Sequence, residues 1–339
     1  MSTTESQTAA TVPAQQAAPR AQSWLRRAVL LILTRYATAL LLALFIIVFS
    51  LLNDQFLTAT NWQNLLVVQA VVSCTAFAAI LSLVVGEFDL SLGNMLGFLT
   101  MLGAFLGGAG YDGHVAIPVM IVTGGLVGLL NGFLTVRFQI SSFIATLGTG
   151  ILLSGFTMGL SGGQVLFDGI SPTILSIGQD HFLGLGISVW LTAVIALVLL
   201  YTLEQTPFGR KLYATGGSER VAFLAGIRTG MLKIIAFMLA GILVGVGAIF
   251  ALGQNGAASA GFGPELLLPA YAAAFLGVTT YRPGYYNIPG AVIAILLMAV
   301  GFNGLNLLGA PFWVQPIFNG GVLVIAVICA RAEARHVKK

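Results

Sequence analysis

The stretch TPFGRKLYATGGSERVAFLAGIRTGMLK, residues 206–233, is the longest hydrophilic interruption of this chain after its N-terminal tail. Gly216 and Gly217 interrupt the chain there, and Ser218 offers a side-chain oxygen to the first-turn N–H groups of a following helix. Gly226 stands where a helix-ending C′ residue is expected. The stretch therefore predicts a short helix with its own start and stop signals, in a loop between two long apolar runs.

This short helix is expected to be amphipathic. Val221, Leu224 and Ala225 follow one another at helical spacing, which suits a helix that fits a groove on another protein. The alternative is a positively charged connector that only sets topology, because the stretch contains five of the fifteen basic residues of the chain. Both interpretations remain open on these residues alone.

The composition excludes a water-soluble globular protein. Of the 339 residues, 58% are hydrophobic and 8% are charged, against about 25% charged residues in soluble domains. The mean hydropathy is +0.97 and the pI is near 9.2, but the basic residues lie in loops, so no nucleic-acid partner is indicated. Cys74 and Cys329 lie far apart in apolar runs, which indicates neither a disulfide nor a metal site.

Ten apolar runs divide the chain, and most approach the roughly 20 residues that a bilayer requires. The runs are 37–52, 64–85, 92–108, 115–136, 142–160, 187–203, 231–252, 266–279, 288–307 and 312–330. The run 266–279 is short and contains Pro269, which predicts a short or broken helix. We expect an all-α polytopic membrane protein of about ten transmembrane helices, with a permease domain over 37–330. Residues 1–36 are expected to form a disordered basic tail, and residues 331–339 a basic C-terminal tail.

The distribution of charge predicts that both termini are cytoplasmic. With ten spans and an inner N-terminus, every Lys and Arg falls in or beside a cytoplasmic segment: 1–36, 86–91, 137–141, 204–230, 280–287 and 331–339. The outer loops contain acidic residues and no basic ones: Asp54, Asp112, Asp168, Asp180 and Glu265. This asymmetry is typical of the positive-inside rule, and it predicts a multi-pass protein of the bacterial inner membrane.

The predicted spans contain almost no ionisable groups. Glu87 and Asp89 are assigned to a tight cytoplasmic turn, and no other acid is evident inside a span. Proton- or ion-coupled carriers depend on intramembrane acids or bases, so a secondary carrier is the weaker alternative. We expect the energy for uphill transport to enter from outside the bilayer core.

A membrane-embedded enzyme is a further alternative with little support. The chain has three histidines and no clustered His, Cys or acid pairs, and no GxxxxGK[ST] phosphate-binding loop occurs in it. We therefore expect no catalytic residue, no metal site and no cofactor bound by this chain.

Two more stretches could have a functional role. In GEFDLSLG, residues 86–93, Asp89 or Ser91 could cap the following helix, and a role in gating would be additional to capping. In GVTTYRPGYYNIPG, residues 277–290, Gly and Pro predict sharp turns beside the short span. Glycines recurring every four residues, Gly124 and Gly128 among them, predict close helix packing.

Four motifs in order carry a family resemblance. GEFDLSLG, NGFLTVRFQISSFIATLGTG, TPFGRKLYATGGSERVAFLAGIRT and GFGPELLLPAYAAAFLGVTTYRPG together resemble the permease subunit of ribose-type monosaccharide ABC importers, the carbohydrate uptake 2 family. The resemblance runs from about residue 60 to 330. It departs at 277–290, where members of the family often have a GG-x-S-L-x-GG-x-G pattern.

The resemblance implies roles for two sets of residues. One set would form the coupling helix that docks on the ATPase: Ser218, Glu219, Arg220, Val221, Phe223, Leu224 and Gly226. The other set matches the family's G-x-x-DLS-x-G signature: Gly86, Asp89, Leu90, Ser91 and Gly93.

The resemblance also implies partners. They are a cytosolic ABC ATPase that binds ATP and Mg, a periplasmic or lipid-anchored sugar-binding protein, and a second permease copy or a paralogue, all in membrane lipid. Neutral polar residues in the spans are candidates to line the sugar path: Asn94, Asn131, Ser142, Thr146, Asn303 and Asn306. Hydrogen bonding between helices is the alternative role for each of them.

Overall fold

The structure, a computed structural model, describes the backbone of residues 37–337 and the side chains of residues 38–328. The predicted tail 1–36 and residues 338–339 lie outside the described residues. The last helix continues to Val337, beyond the predicted end of the last span at 330.

Helices account for most of the described chain. They are α1 (Ala37–Leu52), α2 (Ala59–Val84), α3 (Leu92–Gly108), α4 (Gly113–Arg137), α5 (Ser142–Ser161), α6 (Pro172–Gln179), α7 (Ile187–Gln205), α8 (Pro207–Gly217), α9 (Glu219–Leu224), α10 (Thr229–Asn255), α11 (Pro264–Gly277), α12 (Ile288–Leu307) and α13 (Val314–Val337). A small antiparallel hairpin between α6 and α7, which the all-α prediction did not include, pairs β1 (His181–Phe182) with β2 (Leu185–Gly186).

The prediction of an all-α polytopic membrane protein is confirmed apart from this hairpin. Within residues 37–337, six helices are long and apolar enough to cross a membrane: α2, α4, α5, α7, α10 and α12. Shorter apolar helices lie in α1, α3, α11 and α13. Each of the ten predicted runs overlaps one of these ten helices.

The predicted short span is short but not broken. α11 has 14 residues and continues through Pro269 as an α-helix. Proline removes one intrahelical hydrogen bond, and here the rest of the helix remains continuous across it. Of the two alternatives predicted for 266–279, a short or a broken helix, the structure has the short one.

The hydrophilic stretch 206–233 forms two short helices instead of one. Thr206 begins α8, where its hydroxyl accepts a hydrogen bond from the N–H of Gly209 (3.2 Å). Ser218 separates α8 from α9, but its side chain makes no capping bond, so that detail of the prediction is wrong. Its backbone is extended, and its N–H closes α8 on the carbonyl of Ala214 (3.2 Å). Gly226 follows α9 with φ +81°, as predicted.

Glycine rows allow α4 to lie directly on α10, which also packs against α2. A Cβ at Gly124 would meet the carbonyl oxygen of Gly241, and one at Gly128 would meet the carbonyl oxygen of Phe237. Only glycine permits such an approach of two helix backbones. The main apolar core is built around these helices and includes Phe77 on α2.

The connecting segments gather at two opposite ends of the bundle. At one end Gly86 lies against Gly216, Gly230 lies against Val136, and the segment before α12 is bonded to α8. These are the segments that the charge pattern assigned to the cytoplasm.

The other end of the bundle gathers the predicted outer loops. Leu166 and Ala258 form an isolated β-bridge, and the Ser171 hydroxyl donates to Asp112 (2.7 Å). That bond and the bond from the N–H of Gly113 lower the pKa of the Asp112 carboxyl. These outer-loop contacts therefore lie at the opposite end of the bundle from the contacts of Gly86 and Gly230.

The close approach of α4 and α10 leads to a stability prediction. Gly128→Ala places a methyl group against the carbonyl of Phe237 and forces the helices apart, a form of overpacking that costs about 1–3 kcal/mol. We expect a clearly lower midpoint for thermal unfolding of the detergent-purified protein. Gly148→Ala on α5 is the matched control, since its methyl group meets nothing within 4 Å. Equal midpoints for the two variants would contradict the packing.

Candidate functional site

A non-helical segment, residues 86–91, connects α2 to α3 and is the centre of the candidate site. Gly86 ends α2 with φ +84°. The N–H of Gly86 donates to the carbonyl of Leu83 (3.0 Å), and the N–H of Glu87 donates to the carbonyl of Ser82 (3.0 Å). These two bonds form a Schellman motif. The motif turns the chain back toward the bundle.

Side chains from two other helices satisfy the backbone of this 86–91 segment. The N–H of Phe88 donates to the hydroxyl of Ser142 on α5 (3.2 Å), and the N–H of Leu90 donates to the hydroxyl of Thr146 (2.9 Å). The hydroxyl of Tyr271 on α11 accepts from the N–H of Asp89 (2.9 Å) and donates to the carbonyl of Asp89 (2.9 Å). The segment is therefore held from both sides.

Asp89 is completely buried, which corrects two expectations. Its Oδ1 accepts from the N–H (3.0 Å) and the hydroxyl (2.6 Å) of Ser91, and Asn131 donates to that hydroxyl (2.8 Å). Neither Asp89 nor Ser91 caps α3 with its side chain. Ser91 makes no side-chain capping bond, and the Asp89 carboxylate accepts its hydrogen bonds from Ser91. An acid does lie inside the bundle, contrary to the prediction of an acid-free interior.

The first turns of α3 and α11 touch each other. A Cβ at Gly93 would lie 3.1 Å from the carbonyl oxygen of Gly263, and one at Gly97 would overlap the carbonyl oxygen of Phe262. From this contact the two helices run to opposite ends of the bundle, so both begin in its interior. Their 17 and 14 residues correspond to about 26 and 21 Å, less than the roughly 30 Å of a hydrocarbon core. The 86–91 segment is therefore not a surface turn.

Four of the six candidate path residues surround this segment. Asn131, Ser142 and Thr146 bond to it, and Asn94 lies one turn into α3, beside Gly150 of α5. The other two lie elsewhere. Asn303 on α12 exchanges hydrogen bonds with Asn61 on α2 (3.0 Å each), and Asn306 is exposed near the end of α12.

α9 presents an exposed apolar surface at the predicted cytoplasmic end of the bundle. The exposed fractions are 65% for Val221, 66% for Phe223 and 77% for Leu224, whereas Ala222 is buried against the rest of the protein. Ser218 and Arg220 are also exposed. We call Val221, Phe223 and Leu224 the α9 surface.

A cluster of three charged side chains, two of them largely buried, joins α9 to the 86–91 segment. The ammonium group of Lys233, near the start of α10, lies 2.7 Å from Glu87 and 2.7 Å from Glu219. The sequence predicts for Lys233 only a position at a membrane border, without either glutamate as its partner. The available signal was a single cation in the first turns of an apolar run, directly after a loop that contains a glutamate.

Asn287 organises the segment 277–290, a role that sequence reasoning missed. Its side-chain amide donates to the carbonyls of Gly277 (3.1 Å), Thr280 (3.1 Å) and Tyr285 (2.9 Å), and its oxygen accepts from the N–H of Gly290 (2.7 Å). An Asn two residues before Pro-Gly was the available signal, since Asn is a favoured N-cap.

The same segment contacts α8. Arg282 lies over the rings of Tyr213 (5.9 Å) and Tyr285 (5.7 Å), and the Tyr213 hydroxyl donates to the carbonyl of Tyr286 (2.6 Å). The turn chemistry is thus retained in a stretch that lacks most of the family's glycines.

A bundle of apolar helices, two of them beginning in its interior around a polar segment, defines a multi-pass membrane transport protein. The family model for the permease component of branched-chain amino acid transport systems matches residues 61–327, and the chain belongs to this family of transport permeases. No solved structure matches it significantly.

The chain is also similar to import permeases of known systems. It is 32% identical to the ribose import permease protein RbsC of Bacillus subtilis (strain 168), over 86% of this chain and 91% of that protein. It is 30% identical to the D-allose transport system permease protein AlsC of Escherichia coli (strain K12), over 88% of this chain and 91% of that protein. It is 28% identical to the L-arabinose ABC transporter permease protein AraH of Azospirillum brasilense, over 84% of each chain.

The contact between Tyr271 and the 86–91 segment leads to a second prediction. Tyr271→Phe removes both hydrogen bonds to the backbone of Asp89 and leaves a buried N–H unpaired, which costs about 1–3 kcal/mol. We expect a lower midpoint of thermal unfolding. Tyr285→Phe, an exposed tyrosine in the same half of the chain, is the control and should change the free energy of unfolding by less than about 0.5 kcal/mol. A Tyr271→Phe variant as stable as the control would show that these bonds do not hold the segment.

Proposed function

We propose that this chain is the transmembrane permease subunit of an ABC importer for a monosaccharide, with about ten membrane spans and both termini in the cytoplasm. Its partners are a cytosolic ATPase, which binds ATP and Mg, a periplasmic or lipid-anchored sugar-binding protein, and a second permease copy or paralogue. The substrate class rests on the similarity to permeases for ribose, allose and L-arabinose. The chain itself contributes no catalytic residue.

The α9 surface is the observation that carries this proposal. Three large apolar side chains on a six-residue helix are exposed, and Ala222 is the one residue of this helix that is buried. A contiguous exposed apolar patch marks a protein contact, and in a helix this short little else accounts for its apolar residues. We infer that α9 is the coupling helix and that these side chains enter a groove of the ATPase.

Neutral polar side chains support a sugar path. Asn94, Asn131, Ser142 and Thr146 gather about the 86–91 segment, where α3 and α11 begin. Hydroxyl and amide groups match sugar hydroxyls without the cost of a buried charge. Three of the four are already bonded within the protein, so binding of a sugar there requires that these bonds open.

Buried Asp89 is the observation that favours the alternative, an ion-coupled carrier. The two functions differ in their energy source. Uptake in vesicles that follows internal ATP and survives a protonophore supports the importer, whereas uptake that collapses with the proton gradient at clamped ATP supports the carrier.

Orientation is tested by cysteine labelling of intact cells, in a background with Cys74 and Cys329 replaced. A cysteine introduced at Asp168, in the predicted outer loop between α5 and α6, should react with an impermeant reagent from outside. A cysteine at Ser218 should react only after the membrane is opened, because the basic loops are expected inside. Both positions are exposed in the structure, so a failure to label reports sidedness rather than burial. Labelling of Ser218 in intact cells would reverse the proposed topology.

The importer assignment is tested with Leu224→Asp. Leu224 is 77% exposed, so the change should leave the permease folded. Loss of an apolar side chain that is buried on docking removes about 1.5–3 kcal/mol and strands a charge at the interface. We expect the variant to lose the ATPase on purification and to lose most ATP-driven uptake.

Arg220→Ala is the matched control on the same helix. An exposed ion pair contributes about 1 kcal/mol or less, so this variant should retain both the ATPase and uptake. If Leu224→Asp also retains both, the stretch is only a charged connector and the ABC assignment loses its main support.

A further inference from the structure

One cation connects three elements at the predicted cytoplasmic end of the bundle. Lys233 lies on α10, and its side chain is 11% exposed. Its ammonium group contacts Glu219, the first residue of α9, and Glu87, the residue that follows the turn at the end of α2. Both N–O distances are 2.7 Å, which is typical of charge-assisted hydrogen bonds.

The surroundings make the pair between Glu87 and Lys233 stronger than a surface ion pair. The Glu87 side chain is 15% exposed, so solvent screens its pair with Lys233 very little, whereas Glu219 is 52% exposed at the rim. Removal of one partner leaves a charge that is buried and unpaired, which folded proteins avoid. Because α9 buries only Ala222, the Glu219–Lys233 pair is a large part of what fixes α9 to α10.

From Glu87 the contacts continue without a gap into the bundle. The next three backbone N–H groups are held by Ser142 and Thr146 on α5 and by Tyr271 on α11. The ring of Phe88 also stacks on that of Tyr271 (6.1 Å, 23°). A contiguous chain of bonds therefore connects α9 to α5 and α11, and packed side chains and hydrogen bonds of this kind can carry coupling between distant sites.

We propose that Lys233 is a positioning residue that transmits movement of α9 to the 86–91 segment. Its bond to Glu219 makes α10 follow α9, and its bond to Glu87 makes the segment follow α10. This inference rests on the proposed function, because it takes α9 as the contact of the ATPase. It assigns to Lys233 a role in coupling, and none in ATPase binding or in sugar recognition.

The test uses the complete importer, in which the permease, its ATPase and its sugar-binding protein are reconstituted in liposomes. Lys233→Gln removes the charge that joins Glu87 to Glu219. We expect the variant to retain the ATPase and to hydrolyse ATP, with the number of sugar molecules transported per ATP reduced at least about fivefold. Lys233→Arg keeps the charge and should restore most of the ratio. Arg210→Gln removes an exposed cation of α8 and should leave the ratio unchanged.

A double-mutant cycle separates transmission from a loss of stability. If Lys233 acts through Glu87, the effects of Glu87→Gln and Lys233→Gln on the transport ratio should not add, because each breaks the same link. Thermal unfolding midpoints of all variants are measured in parallel. Should Lys233→Gln fail to fold, Glu219→Gln carries the same test, since Glu219 is half exposed and its loss leaves the pair with Glu87 intact.

The possible failures are distinguishable. A wild-type permease that does not retain an ATPase overturns the proposed function itself. Release of the ATPase by Lys233→Gln shows a docking role and overturns the transmission proposal alone. The transmission proposal is also overturned if Lys233→Gln leaves the transport ratio unchanged. The same holds if Lys233→Arg lowers the ratio as much as Lys233→Gln does.

Discussion

The hydrogen bonds to the backbone of the 86–91 segment are the constraint on which the rest of the site depends. The hydrocarbon core of a bilayer contains no water, so a non-helical segment that is buried at this depth must find protein partners for its N–H and C=O groups. Ser142, Thr146 and Tyr271 supply those partners from α5 and α11. Because two helices are needed for one short segment, its position fixes theirs.

Glycine complements these bonds by removing side chains where helices must touch. The first turns of α3 and α11 meet at Gly93, Gly97 and Gly263, and α4 meets α10 at Gly124 and Gly128. The polar contacts thus determine where the segment lies, while the glycines determine how closely the helices around it approach. Both are needed to bury Asp89 completely, and its hydrogen bonds to Ser91 partly offset the cost of that burial.

Much of the architecture could be predicted from local features of the sequence. Apolar runs depend only on neighbouring residues, so ten helices appear close to the predicted positions, and the turn at Gly226 is recognisable from its own surroundings. The interior of the site could not be predicted in this way. Asp89 and Tyr271 are 182 residues apart, and no local pattern indicates that a polar turn will be enclosed by a helix so distant in the chain. The same holds for Lys233, whose role depends on two glutamates from separate loops.

The dependence of one segment on a much later helix has a consequence for membrane insertion. Helices α2 and α3 leave the ribosome long before α11, so the pair cannot reach its final arrangement as an independent hairpin. Until Tyr271 is synthesised, the N–H and C=O groups of Asp89 must remain near water or in a temporary arrangement, because exposure to lipid is too costly. Arrival of α11 therefore completes the biogenesis of the first half of the protein, and a chain truncated before Pro264 should be recognised by membrane quality control as unfinished.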